Sequence, residues 1–422
     1  MICASWCPGA ERQLAAWAEA KALAGGRGER DAAAPTLVGM EAERLKVVIK
    51  ERMVERSPKV VSLTPAVFHL SDAVNEISRT YGDNPIVPRG PKLKPLIENA
   101  RKGIQEAIGC PNHEPVLFTG TGSSAIAAVL GSCLRPSERL LVIRNGAYGD
   151  RILDYAKALH QPVVDMSLPY GERPDLDAVE KILAGNGADA VALVYGGTST
   201  CTLNPLPEIA ALAKRHQKKL LVDGVSSLFV EPMDLDGWGV AAVMGSCNKG
   251  LHSHPNLSMA LVHKDLMSEM GNIPQRTPSL ELYRAFCAQV GGSHPYTIDP
   301  MSLSQVNAAL GHLKRQGGVV GRHAVYQQRC AILREGYERL GLTIARWAGM
   351  PLQSIGTALH IPANTAYETM AERLASEPVD GHVFEIYAAQ GKLSNKLFRI
   401  FNMGDYPLEV YEIFLRALQR VI

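Results

Sequence analysis

The sequence predicts an α/β protein. Its large domain would carry a mostly parallel sheet with helices on both faces, and a smaller α+β domain would close the chain. Three observations carry that prediction. Apolar strand-length runs alternate with helical patterns over roughly 150 residues, the signature of repeated βα units. Several of those strands end in small or hydroxyl residues, which place chemistry at the carboxyl edge of such a sheet. From Leu342 onward the strand and helix signals come in short pieces, as a smaller mixed domain requires.

Length and charge bound the function classes. A chain of 422 residues can bury a large core and divide into two domains. Its formal net charge is only +2, so no broad basic surface argues for nucleic acid. No apolar run reaches the roughly eighteen residues of a membrane span, so no membrane partner is expected. The eight cysteines lack both the close pairs of a zinc site and the density of a small secreted scaffold, which predicts reduced thiols in a cytoplasmic protein.

Taken in order, residues 1–39 read as a flexible extension rich in Ala, Gly, Glu and Arg. Charges interrupt it before a signal-peptide core forms, and Met40 would serve as an alternative start. Residues 40–75 form an N-terminal segment expected to pack with the small domain, with a charged amphipathic helix over 40–53 and an extended stretch at 60–65. The large domain is expected over 76–310. It begins with a Pro- and Gly-containing loop at 83–95, then a helix over 96–108.

A brief strand at 116–118 breaks into Thr119-Gly120-Thr121-Gly122-Ser123-Ser124, ahead of a helix over 125–133. Backbone N–H groups and the positive helix end make that junction a phosphate cradle, although an ordinary capped helix start has the same appearance. Gly120-x-Gly122-x-x-Ala125 also fits a dinucleotide fingerprint. That rival requires an acidic residue after the next strand, 139–143, where Arg144-Asn145-Gly146 stands instead. Tyr148 opens the following helix and could lie on a flat ring or pack against the sheet.

Asp175 starts another helix, and a strand over 189–195 ends in Gly196-Gly197-Thr198-Ser199-Thr200-Cys201. A helix over 207–216 leads to the strand 219–223, which closes on Asp223. The strand 241–244 then runs into Gly245-Ser246-Cys247-Asn248-Lys249-Gly250. Two consecutive βα units thus deliver a carboxylate and an amine to one edge. A pyridoxal phosphate enzyme needs that pair: a lysine to hold the aldehyde as a Schiff base, and an acid to keep the pyridine nitrogen protonated. Cys247 reads as a small filler or a reactive thiol, and His252 and His254 as loop or pocket-wall residues without a third metal ligand.

A strand over 258–262 should return antiparallel, and Thr297 lies in a polar loop before a helix over 302–315. The small domain, 311–422, would hold a helix over 319–340 and a strand containing Leu397-Phe398-Arg399-Ile400-Phe401. Arg399 there is an edge charge or an anion binder.

With the cradle glycines, Asn145-Gly146-Ala147-Tyr148-Gly149, Asp223-Gly224-Val225-Ser226-Ser227 and Asn248-Lys249 in this order, the chain resembles fold type I pyridoxal phosphate enzymes of the class V aminotransferase family. Within it, the chain is most similar to the 2-aminoethylphosphonate:pyruvate transaminases. The likeness spans about residues 60 to 422 and continues through Arg173-Pro174-Asp175, Ser279 to Tyr283, Gly317-Gly318-Val319, Arg322-His323, Tyr326-Gln327-Gln328 and Phe398-Arg399-Ile400.

The resemblance implies an aspartate aminotransferase-like fold with a seven-stranded type of sheet. It implies that Lys249 holds pyridoxal 5'-phosphate and shuttles the proton, that Asp223 pairs with the pyridine nitrogen, and that Tyr148 stacks on the ring. Thr121, Gly122 and Ser123 would hold the phosphate, and Thr198 or Ser199 would reach the ring hydroxyl. Thr297 from a second copy would complete the site in a homodimer, and Arg399 would bind the acceptor's carboxylate. Three stretches depart from the family pattern: Thr64-Pro65-Ala66-Val67, Gly197 in place of an acid, and His252 to Leu257 after the lysine.

Three functions follow. The first is amino-group transfer between a small amine or amino acid, an aminophosphonate included, and a 2-oxo acid such as pyruvate. The second keeps the cofactor but performs β- or γ-elimination or replacement on an amino acid, S-adenosylmethionine included. The third, a dinucleotide-dependent dehydrogenase, leaves Asp223 and Lys249 unexplained.

Overall fold

The computed structural model describes residues 58–363 and 365–422. The expected extension 1–39, the helix over 40–53 and the alternative start at Met40 lie outside the described residues.

A seven-stranded sheet organises the chain. Its strands are β2 (His113–Thr119), β3 (Leu140–Arg144), β4 (Val163–Ser167), β5 (Ala190–Val194), β8 (Lys219–Asp223), β9 (Ala242–Ser246) and β10 (Leu257–His263). Between β5 and β8 sits a two-stranded hairpin of β6 (Gly196–Gly197) and β7 (Thr202–Leu203). The spatial order is β2-β10-β9-β8-β5-β3-β4. Pairs β9–β8, β8–β5, β5–β3 and β3–β4 are parallel, and β10 runs antiparallel to both β9 and β2. The carboxyl ends of β2, β3, β5, β8 and β9 therefore share one edge.

The central strands are apolar because both faces are covered, whereas the edge strand β4 carries the exposed Asp165 and Ser167. Leu141, Ile143, Val191, Leu193, Leu220 and Val222 enter one buried cluster. Their neighbours Leu140, Val142, Ala190, Ala192 and Leu221 enter the cluster on the other face. This is the two-residue alternation of a pleated strand. Each fully buried Val or Leu contributes about 1.5–3 kcal/mol of transfer free energy.

A third apolar cluster joins Val61 and Leu63 to residues between Leu333 and Val421. It packs under two smaller sheets. β1 (Lys59–Ser62) pairs in parallel with β12 (His382–Glu385), while β11 (Gly356–His360), β14 (Leu397–Phe401) and β13 (Tyr387–Ala388) form an antiparallel trio.

Two helix starts differ from the sequence expectation. The helix Leu93–Ile108 begins three residues early, with Pro95 in its first turn, where a missing N–H leaves no hydrogen bond unmade. The helix Gly122–Ser132 begins at Gly122, so the predicted cradle residues form its first turn. Among the described residues no helix is long and apolar enough to cross a membrane.

Candidate functional site

Lys249 lies in the turn that follows β9, three residues past the strand end rather than on it. Hydrogen bonds pin this turn from several sides. His252 N donates to Lys249 O at 2.9 Å, and Ser253 N donates to Cys247 O at 2.9 Å. Arg322 Nη1, from the helix Gly318–Arg339, donates to Gly250 O at 2.6 Å. Gly250 must be glycine, since a Cβ there would meet Leu228 O at 2.1 Å. His252 adopts a left-handed φ of 61° and bonds through Nε2 to Tyr326 Oη. The His252 ring is buried and does not line the cavity that Lys249 lines.

The Lys249 side chain is 8% exposed. Its Nζ lies 2.9 Å from Ser226 Oγ and 3.5 Å from Thr198 Oγ1, and 5.5 Å from the centroid of the Tyr148 ring. Burial holds the ammonium below its ordinary range, with Tyr148 and Asp223 pulling the other way. Asp223 ends β8, the strand beside β9, and is 2% exposed. Its Oδ1 accepts from Val225 N at 2.9 Å. Burial raises this carboxyl, and the Val225 N–H and Lys249 oppose the rise. A buried acid at one strand end and a buried amine in the turn after the neighbouring strand are the arrangement expected where a protonated ring nitrogen and an aldehyde must be held together.

Thr121, Gly122, Ser123, Tyr148, Asp223 and Lys249 line one cavity of about 160 Å³. Thr121 stands at the N-cap of the helix Gly122–Ser132 without a side-chain hydrogen bond; Ser124 N donates to Thr121 O at 2.8 Å, while the N–H groups of Gly122 and Ser123, both on the cavity lining, have no partner among the described residues. Ser246 Oγ, on the same wall, is buried without a partner. A larger hollow of about 560 Å³ runs between the helices Leu93–Ile108 and Pro300–Arg315, beside Gly103 and Leu310. It contains none of the predicted site residues.

The other predicted residues fall in different places. Thr198 reaches Lys249, whereas Ser199 Oγ is buried without a partner, 2.8 Å from where a Gly146 Cβ would stand. Arg399 is 1% exposed on β14. Its Nη1 donates to Thr198 O at 2.8 Å, and Nε and Nη2 donate to Ala388 O at 3.2 and 2.7 Å. Of the five N–H bonds of a guanidinium, two have no hydrogen-bond partner among the described residues, and Arg399 is not one of the residues that line the cavity. Thr297 is exposed and does not line the cavity. It lies two residues before Asp299, whose N donates to Thr119 Oγ1 at the end of β2.

The structure adds two residues that the sequence reading passed over. The Arg151 guanidinium lies 4.7 Å from the Tyr148 centroid, with Nη1 3.4 Å from Ser123 Oγ. Its spacing of three from Tyr148 on a predicted helix was the available signal. Ser226 supplies the nearer partner of Lys249, and no sequence pattern distinguishes it from Ser227.

The structure also places the three departures noted above. Asn248 Nδ2 donates to Ala66 O at 3.1 Å, which lays the lead-in segment beside the lysine turn. A Cβ on Gly197 would meet Thr200 Oγ1 at 2.9 Å. His254 Nε2 lies 3.4 Å from Ser78 Oγ. Cys247 is buried, and burial pushes its thiol upward, the behaviour of a filler. Arg144, which stands where a dinucleotide site requires an acid, is tied to Asp165 at 2.5 Å and to Asp150 at 2.8 Å.

Known proteins match this chain in sequence and in fold. The family model described as Aminotransferase class-V matches residues 69–281. A 2-aminoethylphosphonate–pyruvate transaminase of Phocaeicola vulgatus is 29% identical over 77% of this chain and 90% of its own. A protein of the same description from Salmonella paratyphi B is 31% identical over 78% of this chain and 88% of its own. Among solved structures, an aspartate aminotransferase of subgroup IV from Thermus thermophilus superposes with a TM-score of 0.77 at 24% identity, covering 86% of this chain and all of that one.

Proposed function

Since the chain belongs to the class V aminotransferase family and is a pyridoxal phosphate-dependent transferase, we propose that it moves an amino group from a small aminophosphonate or related amine to a 2-oxo acid such as pyruvate. The observation that carries this reading is the buried pair Asp223, at the end of its strand, and Lys249, in the turn after the adjacent strand, lining one cavity with the Gly122–Ser132 helix start.

The residues fit the cofactor. The N–H groups of Gly122 and Ser123 and the unpartnered Ser246 hydroxyl supply donors for a phosphate, and the flat Tyr148 ring faces the space in front of Lys249. When bound, pyridoxal phosphate supplies an electron sink for the pair left at the substrate carbon.

The chain's own groups do the rest. Thr121, Gly122 and Ser123 would hold the phosphate, with Arg151 adjacent. Asp223 would keep a proton on the pyridine nitrogen, and its burial makes that pairing strong because no water competes. Thr198 would reach the ring hydroxyl, Ser199 being turned toward Gly146. Lys249, whose charged form burial disfavours, would hold the aldehyde end of the cofactor and, when free of it, would carry the proton between the substrate carbon and the cofactor side. Arg399 would take the acceptor's carboxylate or the donor's anionic head on its two free N–H bonds.

We further propose a homodimer in which a second copy supplies Thr297, and a cytoplasmic location, supported by the free cysteines among the described residues. The domain division we adopt is 76–310 for the large domain and 311–422 for the small one, with the strand Lys59–Ser62 and Leu63 packing on the latter and Phe68, Leu70 and Val74 on the former. The Val61 and Leu63 contacts support that division.

The test is the visible spectrum of the purified protein with cofactor, followed by 2-aminoethylphosphonate and then pyruvate. The band should bleach with the amine and return with the oxo acid. Release of a leaving group without that cycle would instead assign elimination or replacement.

A further inference from the structure

Ser226 occupies a position that the amino-transfer reading leaves without a task. Among the described residues, the hydrogen-bond partners of Lys249 Nζ are Ser226 Oγ at 2.9 Å and, more distantly, Thr198 Oγ1 at 3.5 Å. Ser226 and Thr198 are themselves bonded hydroxyl to hydroxyl, and both are at least nine-tenths buried. Neither end of this pair is loose. Ser226 belongs to the turn in which Val225 N donates to Asp223 and Ser227 N donates to Gly224 O at 3.0 Å. Thr198 is fixed by its carbonyl, which accepts from Arg399 Nη1. One tight turn therefore presents both the Asp223 carboxylate and the hydroxyl that holds the lysine.

A hydroxyl donates one hydrogen bond and accepts others. Two in series can serve a nitrogen in either protonation state. An ammonium donates to Ser226, which then donates to Thr198. A neutral amine accepts from Ser226, which then accepts from Thr198. The charged and titratable groups facing Nζ are Asp223 from the β8 end, Tyr148 and Arg151 from the helix Ala147–Ala158, and Arg399 from β14. None of these is a direct hydrogen-bond partner, so the hydroxyl pair alone fixes where the nitrogen rests.

We propose that Ser226 is a positioning residue for Lys249, its hydroxyl holding the amine at one place whenever the amine is not bonded to the cofactor. The inference rests on the amino-transfer reading above. It explains how a long flexible side chain, once displaced, stays beside the carbon that must lose its proton.

The experiment compares the full-length protein with Ser226→Ala, Ser226→Thr and Ser226→Val. Cofactor-free samples are labelled with acetic anhydride across pH, and acetylation of Lys249 is read by mass spectrometry. Charged hydrogen bonds outweigh neutral ones, so losing the hydroxyl lowers the labelling midpoint by roughly 0.5–1 pH unit. In the loaded enzyme kcat falls about tenfold while KM stays within about twofold, the signature of lost placement. Ser226→Thr restores both readouts. Ser226→Val, matched to it in size, does not, which separates the hydroxyl from any loosening of the turn.

A visible band in the wild type together with an unmoved midpoint and kcat in Ser226→Ala and Ser226→Val overturns the role of Ser226 and leaves the transferase reading standing. Absence of the band in the wild type removes the reading on which it rests.

Discussion

Replacing Asp223 by asparagine tests the site at its most demanding point. The carboxylate is 2% exposed, and its protein hydrogen bond is the 2.9 Å contact from Val225 N to Oδ1. An amide oxygen keeps that contact, so the turn and the fold should survive, with a melting temperature no lower than that of wild type. What is lost is the negative charge opposite the ring nitrogen. A hydrogen bond to a charged group contributes about 1.5–3 kcal/mol, which at about 1.4 kcal/mol per decade predicts a fall in kcat/KM of about 10- to 150-fold. Steady-state assay with 2-aminoethylphosphonate and pyruvate measures it. A second readout comes from the cofactor-free proteins. Burial raises Asp223 above its unfolded value, so its contribution to stability is fully present below the unfolded value and is lost as pH rises through the folded one. The melting temperature of Asp223→Asn relative to wild type should therefore rise with pH across that window. A variant that keeps kcat/KM within threefold of wild type, or a melting difference that falls with pH, would refute the assignment.

The remaining predictions concern Lys249, its turn and the anion side. Lys249→Met should abolish the visible band yet stabilise the cofactor-free protein at neutral pH by roughly 1 kcal/mol, measured by calorimetry. The reason is that a lysine held low by burial contributes stability only above its unfolded value and loses it as pH falls through the folded one; a lower melting temperature at pH 7 would contradict this. Arg399→Gln should raise KM for pyruvate about 10- to 150-fold while changing KM for an uncharged amine donor less than threefold, and equal effects on both would remove its anion-binding role. Gly250→Ala forces a Cβ against Leu228 O and should cost about 1–3 kcal/mol in urea unfolding with reduced cofactor loading; wild-type stability would show that the turn can relax.

The sequence by itself determined the sheet. Continuous apolar runs such as Ala190–Val194 are stable as strands only when covered on both faces, and small residues after each run mark the carboxyl edge. That was enough to bring Asp223, Tyr148 and the Gly122 helix start to one edge with Lys249, because strand direction in a βα repeat fixes which end carries the loops. The starts of the helices at Leu93 and Gly122 were less legible, since proline and glycine in a first turn look the same as in a loop. Tertiary structure alone decided which neighbouring hydroxyl does what. Thr198 against Ser199, and Ser226 against Ser227, differ by one position, and a turn's backbone angles rather than its residue types select the one that faces the lysine. Arg144 and Arg399 read alike as strand-end and strand charges, yet Arg144 finds Asp150 and Asp165 while Arg399, more than a hundred residues from Lys249 in sequence, turns inward to Thr198. Each guanidinium spends three N–H bonds, and what differs is the partner: carboxylates neutralise Arg144, whereas Arg399 meets only backbone carbonyls among the described residues and keeps its charge uncompensated.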